Sequence, residues 1–390
     1  MIHMLFFVLC LLSSHVSLNV DGIQTILKED LDLDRQLELI NKPPMKSIHT
    51  KFGDIIDCID IYKQPLFDHP LLKDHKLQRK PNFHNVIEES SQKNLRTRSM
   101  FGLSKDDCPK RTVPILRTTK DDLIREKLML NNHILVQDLP GVHLAEVSPK
   151  PHFGPYYEVN GVNSIYNPRV DTKFQISMSH LWVQNGRIES TNKISLGWHV
   201  IPELYGDYGT HLYSSWTSDN YKKTGCYNIR CAGFVQTSND QYLGARITNI
   251  SVYGGPTVAS LFSISQDPVT KNWWLSVENK FIGYFPIKLF SNMTSADQVG
   301  WGGRTKTHLD TNSPQMGSGH LPHFPYYNYN TRVCYFRQVF IRNSLRKSHE
   351  VQPYETYSFT DNPNCYDVKY PKSSVGYVLL FGGPGGKCGN

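Results

Sequence analysis

Ser195 and His199 are residues of the types that perform acyl transfer, a hydroxyl nucleophile and an imidazole base. They lie four positions apart in a stretch with strand-like alternation, and this spacing separates two residues of one strand by ~13 Å, too far for a hydrogen bond. Four other histidines could approach Ser195 only through the fold, namely His180, His211, His308 and His320. No nucleophile elbow or triad motif accompanies Ser195, so the sequence does not favour a serine mechanism.

The stretch that must position these residues, 193–237, predicts antiparallel β-structure without helix. Apolar residues alternate with polar or small ones between Ile194 and Val200, which places one apolar row on one face of a strand. Residues 205–209 predict a turn, 211–217 predict a second strand, and 233–236 predict the start of a third.

Composition limits the class of protein. The chain has 390 residues, of which 39% are hydrophobic and 12% aromatic, so it can bury a sizeable core and is not globally disordered. Its net charge is +7, but the basic residues are scattered and form no stripe with stacking aromatics, which argues against nucleic-acid binding. The sequence predicts no cofactor and no metal site.

The amino terminus predicts export. Residues 4–12 form an apolar run with the length of a secretory hydrophobic region, too short to span a bilayer. We therefore expect a signal peptide at 1–22 and a secreted protein, extracellular or vacuolar, that does not stay in a membrane once the signal is removed. Asn249 and Asn292 lie in glycosylation sequons, which makes them expected glycan sites in an exported chain.

Cysteine usage agrees with an oxidising compartment. Once Cys10 leaves with the signal, the remaining cysteines show no CxxC and no histidine pair at ligand spacing, so disulfides are favoured over zinc. Their odd number leaves one thiol free, and Cys334, inside an apolar strand, is the expected one.

The chain divides into an amino-terminal and a carboxyl-terminal part. Residues 23–131 predict a small α+β segment, with helices at 23–41 and 119–131 and a strand at 55–62. Residues 132–152 contain several prolines and are interpreted as a linker. From 153 to 390, short alternating runs between turn signals predict a β-sandwich or barrel.

Short motifs recur along nearly the whole mature chain. They are GDIIDCIDIYKQP at 53–65, FDHPLL at 67–72, CP at 108–109, TVPILRT at 112–118, GW at 197–198, TGCYN at 224–228, GFVQ at 233–236, NWWL at 272–275, WGG at 301–303, QMGSGH at 315–320, CYDV at 365–368 and GGPGG at 382–386. Through these motifs the chain resembles the plant neprosin family of glutamic peptidases. The first four lie where that family has its activation peptide.

The resemblance implies a fold and an activity. It implies an amino-terminal pro-segment, an antiparallel β-sandwich, and a glutamate pair that cleaves peptides after proline in acid. In such a pair one carboxylate is ionised and takes a proton, while the other is protonated. Together with the spacing, the resemblance also implies three disulfides: Cys58–Cys108, Cys226–Cys231 and Cys365–Cys388.

Neither glutamate of the family is present. Ser195 stands where the first carboxylate belongs, in ISLGW at 194–198. The second belongs just before or just after WGG, and Gly300 and Arg304 occupy these two positions. If Arg304 faces the cleft, it would hold a nearby carboxylate ionised and make the pocket cationic.

Two sets of residues leave alternatives open. Other acids of the region lie at turns and hairpins but could form a displaced pair: Glu189, Glu203, Asp207, Glu278 and Asp297. Five aromatics near the expected cleft could stack on proline or sugar rings or instead fill the core: Trp198, Tyr205, Tyr213, Trp216 and Trp301.

Two functions remain. The first is a secreted, non-catalytic homologue that binds a peptide, including proline-rich peptides, or a cell-wall polymer. The alternative is an active acid-pH prolyl endopeptidase that uses other carboxylates. In both cases we expect the pro-segment to pack on the sandwich, because its strand has apolar residues to bury.

Overall fold

The amino-terminal part of the chain is a small α+β unit, as the sequence predicts. This computed structural model describes residues 30–83, 100–130, 133–136, 139–322, 329–373 and 376–389. Helix α1 (residues 30–40) precedes an antiparallel sheet of order β1-β2-β3, with bounds Lys46–His49, Ile55–Asp60 and Thr112–Leu116, and helix α2 (Lys120–Leu130) follows it. The expected signal peptide and the start of the expected first helix lie outside the described residues.

Two large antiparallel sheets follow, so the protein is mainly β, as predicted. In the described part of the chain, the first has seven strands in the order β17-β4-β14-β6-β7-β8-β9. Their bounds are β4 Val142–Pro149, β6 Ile176–Asn185, β7 Asn192–Val200, β8 His211–Thr217, β9 Cys226–Tyr227, β14 Gln298–Lys306 and β17 Thr356–Thr360.

The second sheet has ten strands among the residues described. Its main path is β10-β13-β12-β11-β5-β15-β20-β18, with β16 paired to β15 and β19 paired to β20. The bounds are β5 Glu158–Ser164, β10 Val235–Gln236, β11 Ala259–Gln266, β12 Trp273–Val277, β13 Lys280–Phe285, β15 Cys334–Arg342, β16 Ser348–Glu350, β18 Asp367–Lys369, β19 Lys372–Ser373 and β20 Gly376–Gly382.

In the described part of the chain after α2, helical structure consists of short turns. Two are α-helical, α3 (Pro202–Tyr205) and α4 (Tyr329–Arg332). The 3₁₀ turns among the described residues, two of them in the amino-terminal unit, are Pro65–Asp68, Pro70–Leu72, Pro151–Phe153, Ile188–Ser190, Ile287–Leu289 and Pro353–Glu355. The expectation of no helix within 193–237 is thus wrong at α3, where Pro202 supplies a preset first position and Gly206, at φ 76°, ends the turn. No helix in the described ranges is long and apolar enough to cross a membrane.

The core lies between the two large sheets. The alternating apolar residues of β7 point into it, as their period of two predicts, and Leu196 and Trp198 are fully buried there. The opposite face of the seven-stranded sheet, which we call the outer face, carries Ser195 and Gly197. These residues are also buried, and helix α2 and residues 133–136 both contact that face.

Residues 142–149 form β4 and do not belong to a linker, so the predicted linker at 132–152 needs correction. The strand pairs with both β14 and β17 and therefore lies inside the seven-stranded sheet. Gly141 precedes the strand and Pro149 ends it. A proline is tolerated at a strand end, so these residues bound a strand here.

The amino-terminal unit packs on the sandwich, as expected from its apolar strand. Gln64 and Gln236 exchange two hydrogen bonds, Gln64 Nε2 to the Gln236 carbonyl and Gln236 N–H to Gln64 Oε1, each 2.8 Å long. Leu66 and Leu72 are buried in the same apolar cluster as the sandwich core. The unit therefore shares a core with the sandwich.

The cysteines pair as the resemblance implies. The structure has Cys58–Cys108, Cys226–Cys231 and Cys365–Cys388 disulfides, and Cys334 is free and buried. Burial raises the pKa of the Cys334 thiol to about 12, which makes it unreactive at neutral pH.

Peptide mapping without reduction is expected to recover these three links, with Cys334 alkylated only after unfolding. Loop closure alone assigns the Cys58–Cys108 link about 4 kcal/mol of stability, against about 3 for Cys365–Cys388 and about 2 for Cys226–Cys231. Selective replacement of each pair by serines should therefore lower the free energy of unfolding in that order. A bridge from Cys334 to any other cysteine would contradict the scheme.

Candidate active site

Ser195, Gly300 and Arg304 lie on the outer face of the seven-stranded sheet. Ser195 on β7 pairs with Trp182 on β6, which pairs with Gly300 on β14. Directly opposed residues of antiparallel strands share a face, and Arg304 is an even number of positions from Gly300. The three positions at which the resemblance places catalytic carboxylates are thus brought to one surface.

His180 of β6 connects Ser195 to a carboxylate. Its Nδ1 is 2.8 Å from Ser195 Oγ, and its Nε2 is 2.8 Å from Oε1 of Glu146 on β4. The register pairs Glu146 with Gly302 and Gly302 with His180, so no side chain stands between carboxylate and imidazole. The sheet thereby assembles a serine, a histidine and a glutamate in one continuous hydrogen-bonded chain.

The protonation state of this chain follows from its surroundings. Burial lowers the pKa of His180 to about 4, although Glu146 opposes the shift, so the imidazole is neutral above that pH. A carboxylate only accepts, so His180 Nε2–H donates to Glu146 and Nδ1 accepts from the Ser195 hydroxyl. Tyr213, whose hydroxyl lies 2.8 Å from Ser195 Oγ, then donates to that oxygen.

Arg304 binds Glu146 in a bidentate pair. Its Nε and Nη2 lie 2.5 and 3.0 Å from Oε1 and Oε2, and both side chains are buried. Burial alone raises the pKa of Glu146, but Arg304 and His180 outweigh it and hold that pKa far below its usual range. The expectation that Arg304 would keep a neighbouring carboxylate ionised is met by Glu146.

Residues 133–136, which we call the covering segment, close the outer face. The Ile134 carbonyl accepts from Arg304 Nη1 at 3.2 Å, and the His133 ring stacks on Tyr221 and Tyr227 with centroids 3.6 and 4.5 Å away. Ser195 and His180 consequently have no exposed surface. Nothing the size of a peptide reaches Ser195 while this segment is in place.

Helix α2, which precedes the covering segment, is also attached to the outer face. Glu126 Oε1 accepts from the Tyr227 backbone N–H at 2.9 Å. Burial raises the pKa of this carboxyl to about 7, although Arg230 opposes the shift. The contact between the two parts of the chain therefore contains a group that titrates near neutral pH.

The five aromatic cleft candidates separate into two groups. Trp198, Trp216 and Trp301 point into the core between the sheets, and the indoles of Trp198 and Trp301 donate to the carbonyls of Ser164 and Asn160. Tyr213 alone among the five contacts Ser195. Tyr205 is connected to it only through His199, which stacks on Tyr213 at 4.1 Å and bonds the Tyr205 hydroxyl at 2.7 Å. The ring of Tyr205 stacks on His211 at 3.7 Å.

The other acid candidates are engaged elsewhere. Asp207 bonds His211 and Arg246, and Asp297 accepts from the Gly186 backbone. Glu278 lies at the β12–β13 hairpin, Glu203 lies in α3, and Glu189 lies in a 3₁₀ turn. None of the hydrogen bonds described for these five acids reaches Ser195.

Sequence reasoning missed Glu146 and Lys193. Glu146 lies within the predicted linker, although Leu144, Glu146 and Ser148 alternate with Ala145 and Val147 as in a strand. Lys193 shares the outer face with Ser195, two positions along β7, and its Nζ lies 4.6 Å from the Trp182 ring centroid. Burial and then Arg304 lower the pKa of Lys193 to about 7.

Gly300 has no room for a larger residue here. A Cβ at this position would lie 2.6 Å from Cζ2 of Trp182, so the indole occupies the space that a carboxylate would need.

Within the described ranges, no group of three or more His, Cys, Asp or Glu residues could hold a metal ion.

Comparisons with known proteins relate the chain to one family and to several solved structures. The sequence model of the family described as Neprosin matches residues 173–384, and that of the Neprosin activation peptide matches residues 47–134. Among solved structures, scytalido-glutamic peptidase with a peptide-based transition state analog is 10% identical, with 62% of this chain and 97% of that chain covered at a TM-score of 0.32. SCP-B, a member of the Eqolisin family solved with the tripeptide Ala-Ile-His, is 8% identical, with 62% and 96% covered at a TM-score of 0.29.

Proposed function

Because the chain belongs to the neprosin family, we propose that it is a secreted member that binds peptide on its outer face and lacks the family's glutamic peptidase mechanism. The observation that carries this proposal is the buried bidentate pair between Arg304 and Glu146. Glu146 is the one carboxylate that the described structure brings to Ser195 through hydrogen bonds, and Arg304 holds it ionised.

The glutamic mechanism requires two carboxylates in opposite protonation states around one water. Ser195 supplies a hydroxyl at one position, and the Trp182 indole fills the space at Gly300. Glu146 cannot act as the protonated partner, because its pKa lies far below the acid range in which such a pair works. A general acid or base contributes roughly 10²–10⁴-fold each, so the loss of both leaves activity near background.

The peptide preference rests on the contact that the covering segment makes. Arg304 Nη1 donates to the carbonyl of Ile134, which is itself a peptide carbonyl. When the segment leaves, this donor becomes free beside Lys193, and the pocket suits the backbone or an anionic group of another peptide.

Asn249 and Asn292 are exposed in the structure, as glycan acceptors of a secreted protein need to be.

An acid-pH digest separates this proposal from the alternative, an active prolyl endopeptidase that uses other carboxylates. A proline-rich peptide is incubated between pH 3 and 6 with the full chain and with the chain cut between residues 136 and 142. We expect no cleavage after proline above background by either form. Cleavage by either form, sensitive to replacement of Asp297 or Glu278, would establish the alternative.

A titration with the same peptide tests binding. The cut chain should bind at least tenfold more tightly than the full chain, whose outer face is covered. A cell-wall oligosaccharide serves as the second ligand. If the sugar binds and the peptide does not, the partner is a polymer and the peptide assignment is wrong.

A further inference from the structure

Ser195, His180 and Glu146 are arranged in the order nucleophile, base and orienting acid. We propose that Ser195 is an acylatable nucleophile and that, once the covering segment is displaced, the protein catalyses acyl transfer from carboxylic esters to water. This activity is distinct from glutamic peptide hydrolysis, because the attacking oxygen belongs to the protein. Ser195 stands at a family catalytic position, but His180 and Glu146, its proposed base and orienting acid, stand at none that the resemblance assigns to catalysis.

The hydrogen-bond directions suit this role. The Ser195 hydroxyl donates to Nδ1 of a neutral imidazole 2.8 Å away, and the opposite nitrogen donates to an ionised carboxylate at the same distance. This is the geometry by which a base activates a serine and an acid fixes the base in the correct tautomer. Glu146 acts through His180 and is a positioning residue, and Arg304 positions Glu146 in turn.

Tyr213 places a donor at the reacting centre. Its hydroxyl is 2.8 Å from Ser195 Oγ, and burial raises the pKa of the phenol well above its ordinary value, so it stays protonated. When Ser195 Oγ bonds to a carbonyl carbon, the carbonyl oxygen becomes negatively charged within reach of this hydroxyl. A single hydrogen-bond donor at such an oxygen accelerates acyl transfer by roughly 10²–10³-fold.

The reaction balances with the substrate and water alone. Ser195 Oγ attacks the acyl carbon while its proton passes to His180 Nδ1. The carbon–oxygen bond to the leaving group breaks, and His180 returns the proton to the departing alkoxide. Water then attacks the acyl–Ser195 ester by the same route, which releases the carboxylic acid and restores the serine.

The pH profile follows from the groups that face His180. These are Glu146 on β4, Arg304 on β14, Lys193 on β7 and Tyr213 on β8, with His133 of the covering segment beyond them. Burial lowers the pKa of the covered imidazole from its ordinary value of 6.5 to about 4. Displacement of the segment rehydrates the site, so activity should rise with pH through a midpoint between these values and stay high at neutral pH.

A fluorophosphonate probe tests the nucleophile directly. The full chain and the chain cut between residues 136 and 142, washed at low pH, are exposed to the probe at pH 4 to 8 and analysed by mass spectrometry. We expect one added phosphonyl group on Ser195 of the cut chain, formed at least 100-fold faster than on the full chain. Turnover of a p-nitrophenyl ester should follow the same pH profile.

Variants show whether the neighbours matter. Ser195→Ala should abolish labelling and His180→Gln should slow it by roughly 10²–10⁴-fold, the contribution of a general base. Ser215→Ala is the matched control, because Ser215 is a buried serine directly opposite Ser195 that bonds Tyr221 and not His180. Its labelling should equal that of the wild type.

The wild-type result alone decides the proposal if a variant fails to fold. Absence of label at Ser195 in both forms of the wild type overturns it, as does a labelling rate of the cut chain that is highest at pH 4. Equal labelling of folded His180→Gln and wild type would show that the imidazole does not activate the serine. None of these outcomes depends on cleavage after proline, so the peptidase test remains independent.

Discussion

Replacement of Arg304 by methionine is expected to lower the free energy of unfolding by about 3–5 kcal/mol at neutral pH, because it leaves a buried carboxylate without its cation. Glu146 would keep His180 as its remaining described side-chain partner. Its pKa should rise sharply, since burial already favours the neutral form and Arg304 is the largest opposing influence. Urea denaturation at pH 7 and pH 5 measures both effects, and the loss should be smaller at pH 5.

The double variant Arg304→Met, Glu146→Gln provides the control for this interpretation. A carboxamide keeps an acceptor for His180 without a buried charge, so the double variant should recover most of the lost stability. Arg342→Met is a matched control, because the Arg342–Glu158 pair is partly exposed, with 20% and 12% of the two side chains accessible. It should cost no more than about 1 kcal/mol. If the double variant were as unstable as Arg304→Met, charge burial would not be the cause.

The common face of Gly300 and Arg304, two of the positions at which the resemblance places carboxylates, could be predicted from the sequence. Ser195 lies in a strand whose period of two is unambiguous, and motif matches place Gly300 and Arg304 around a second strand. Gly300 and Arg304 are an even number of positions apart, which is sufficient to place both on one face of a strand. Residue spacing does not give the order of the strands, so it does not predict that β6 lies between β7 and β14.

The partners of Ser195 could not be predicted, because they are assembled by register between strands. The argument against His199 holds, since spacing along one strand sets that distance. His180 instead lies on the neighbouring strand, diagonal to Ser195, where long side chains come within reach. Glu146 is separated from His180 by 34 residues. Its strand is not recognised in the sequence, because Gly141 and Pro149 at its two ends are typical of a linker.

The aromatic candidates illustrate a limit of composition. Trp198 and Trp301 belong to the family motifs, yet both fill the core and donate to backbone carbonyls there. Tyr213 has the same strand-like context but the opposite parity from Leu212, which faces the core. Only the alternation, and not the aromatic character, distinguishes the residue at the site from those beneath it.

Acid should release the covering segment, with His133 as a principal sensor. His133 is buried, and its pKa lies well below 6.5 because of burial and, to a lesser extent, the nearby charges of Lys306, Lys193 and Arg304. The docked segment holds a neutral imidazole, whereas the released one can take a proton. The stability of docking is therefore fully present above pH 6.5 and falls as the pH decreases.

Glu126 acts in the opposite direction over part of this range. Its pKa is raised from 4.5 to about 7, so it stabilises the docked state fully below pH 4.5 and loses that contribution as the pH rises through 7. Between pH 7 and 4.5 the two effects oppose each other. Below 4.5 the effect of Glu126 is saturated while that of His133 continues to grow, so opening is expected there.

His133→Phe is expected to move this opening to a pH at least one unit lower than in the wild type. Phenylalanine retains the stacking on Tyr221 and Tyr227 but cannot be protonated. Amide hydrogen exchange of residues 133–136, followed from pH 7.5 to 3, measures the opening.

Glu126→Gln is the matched control, because it keeps an acceptor for Tyr227 N–H. It removes a carboxyl that is already neutral below pH 4.5, so the pH midpoint of its opening should equal that of the wild type. At pH 7.5 it should exchange more slowly, because no charge is buried there. If His133→Phe opened at the wild-type pH, the histidine would not be the sensor, and the buried His180 and His199 would be the next residues to replace.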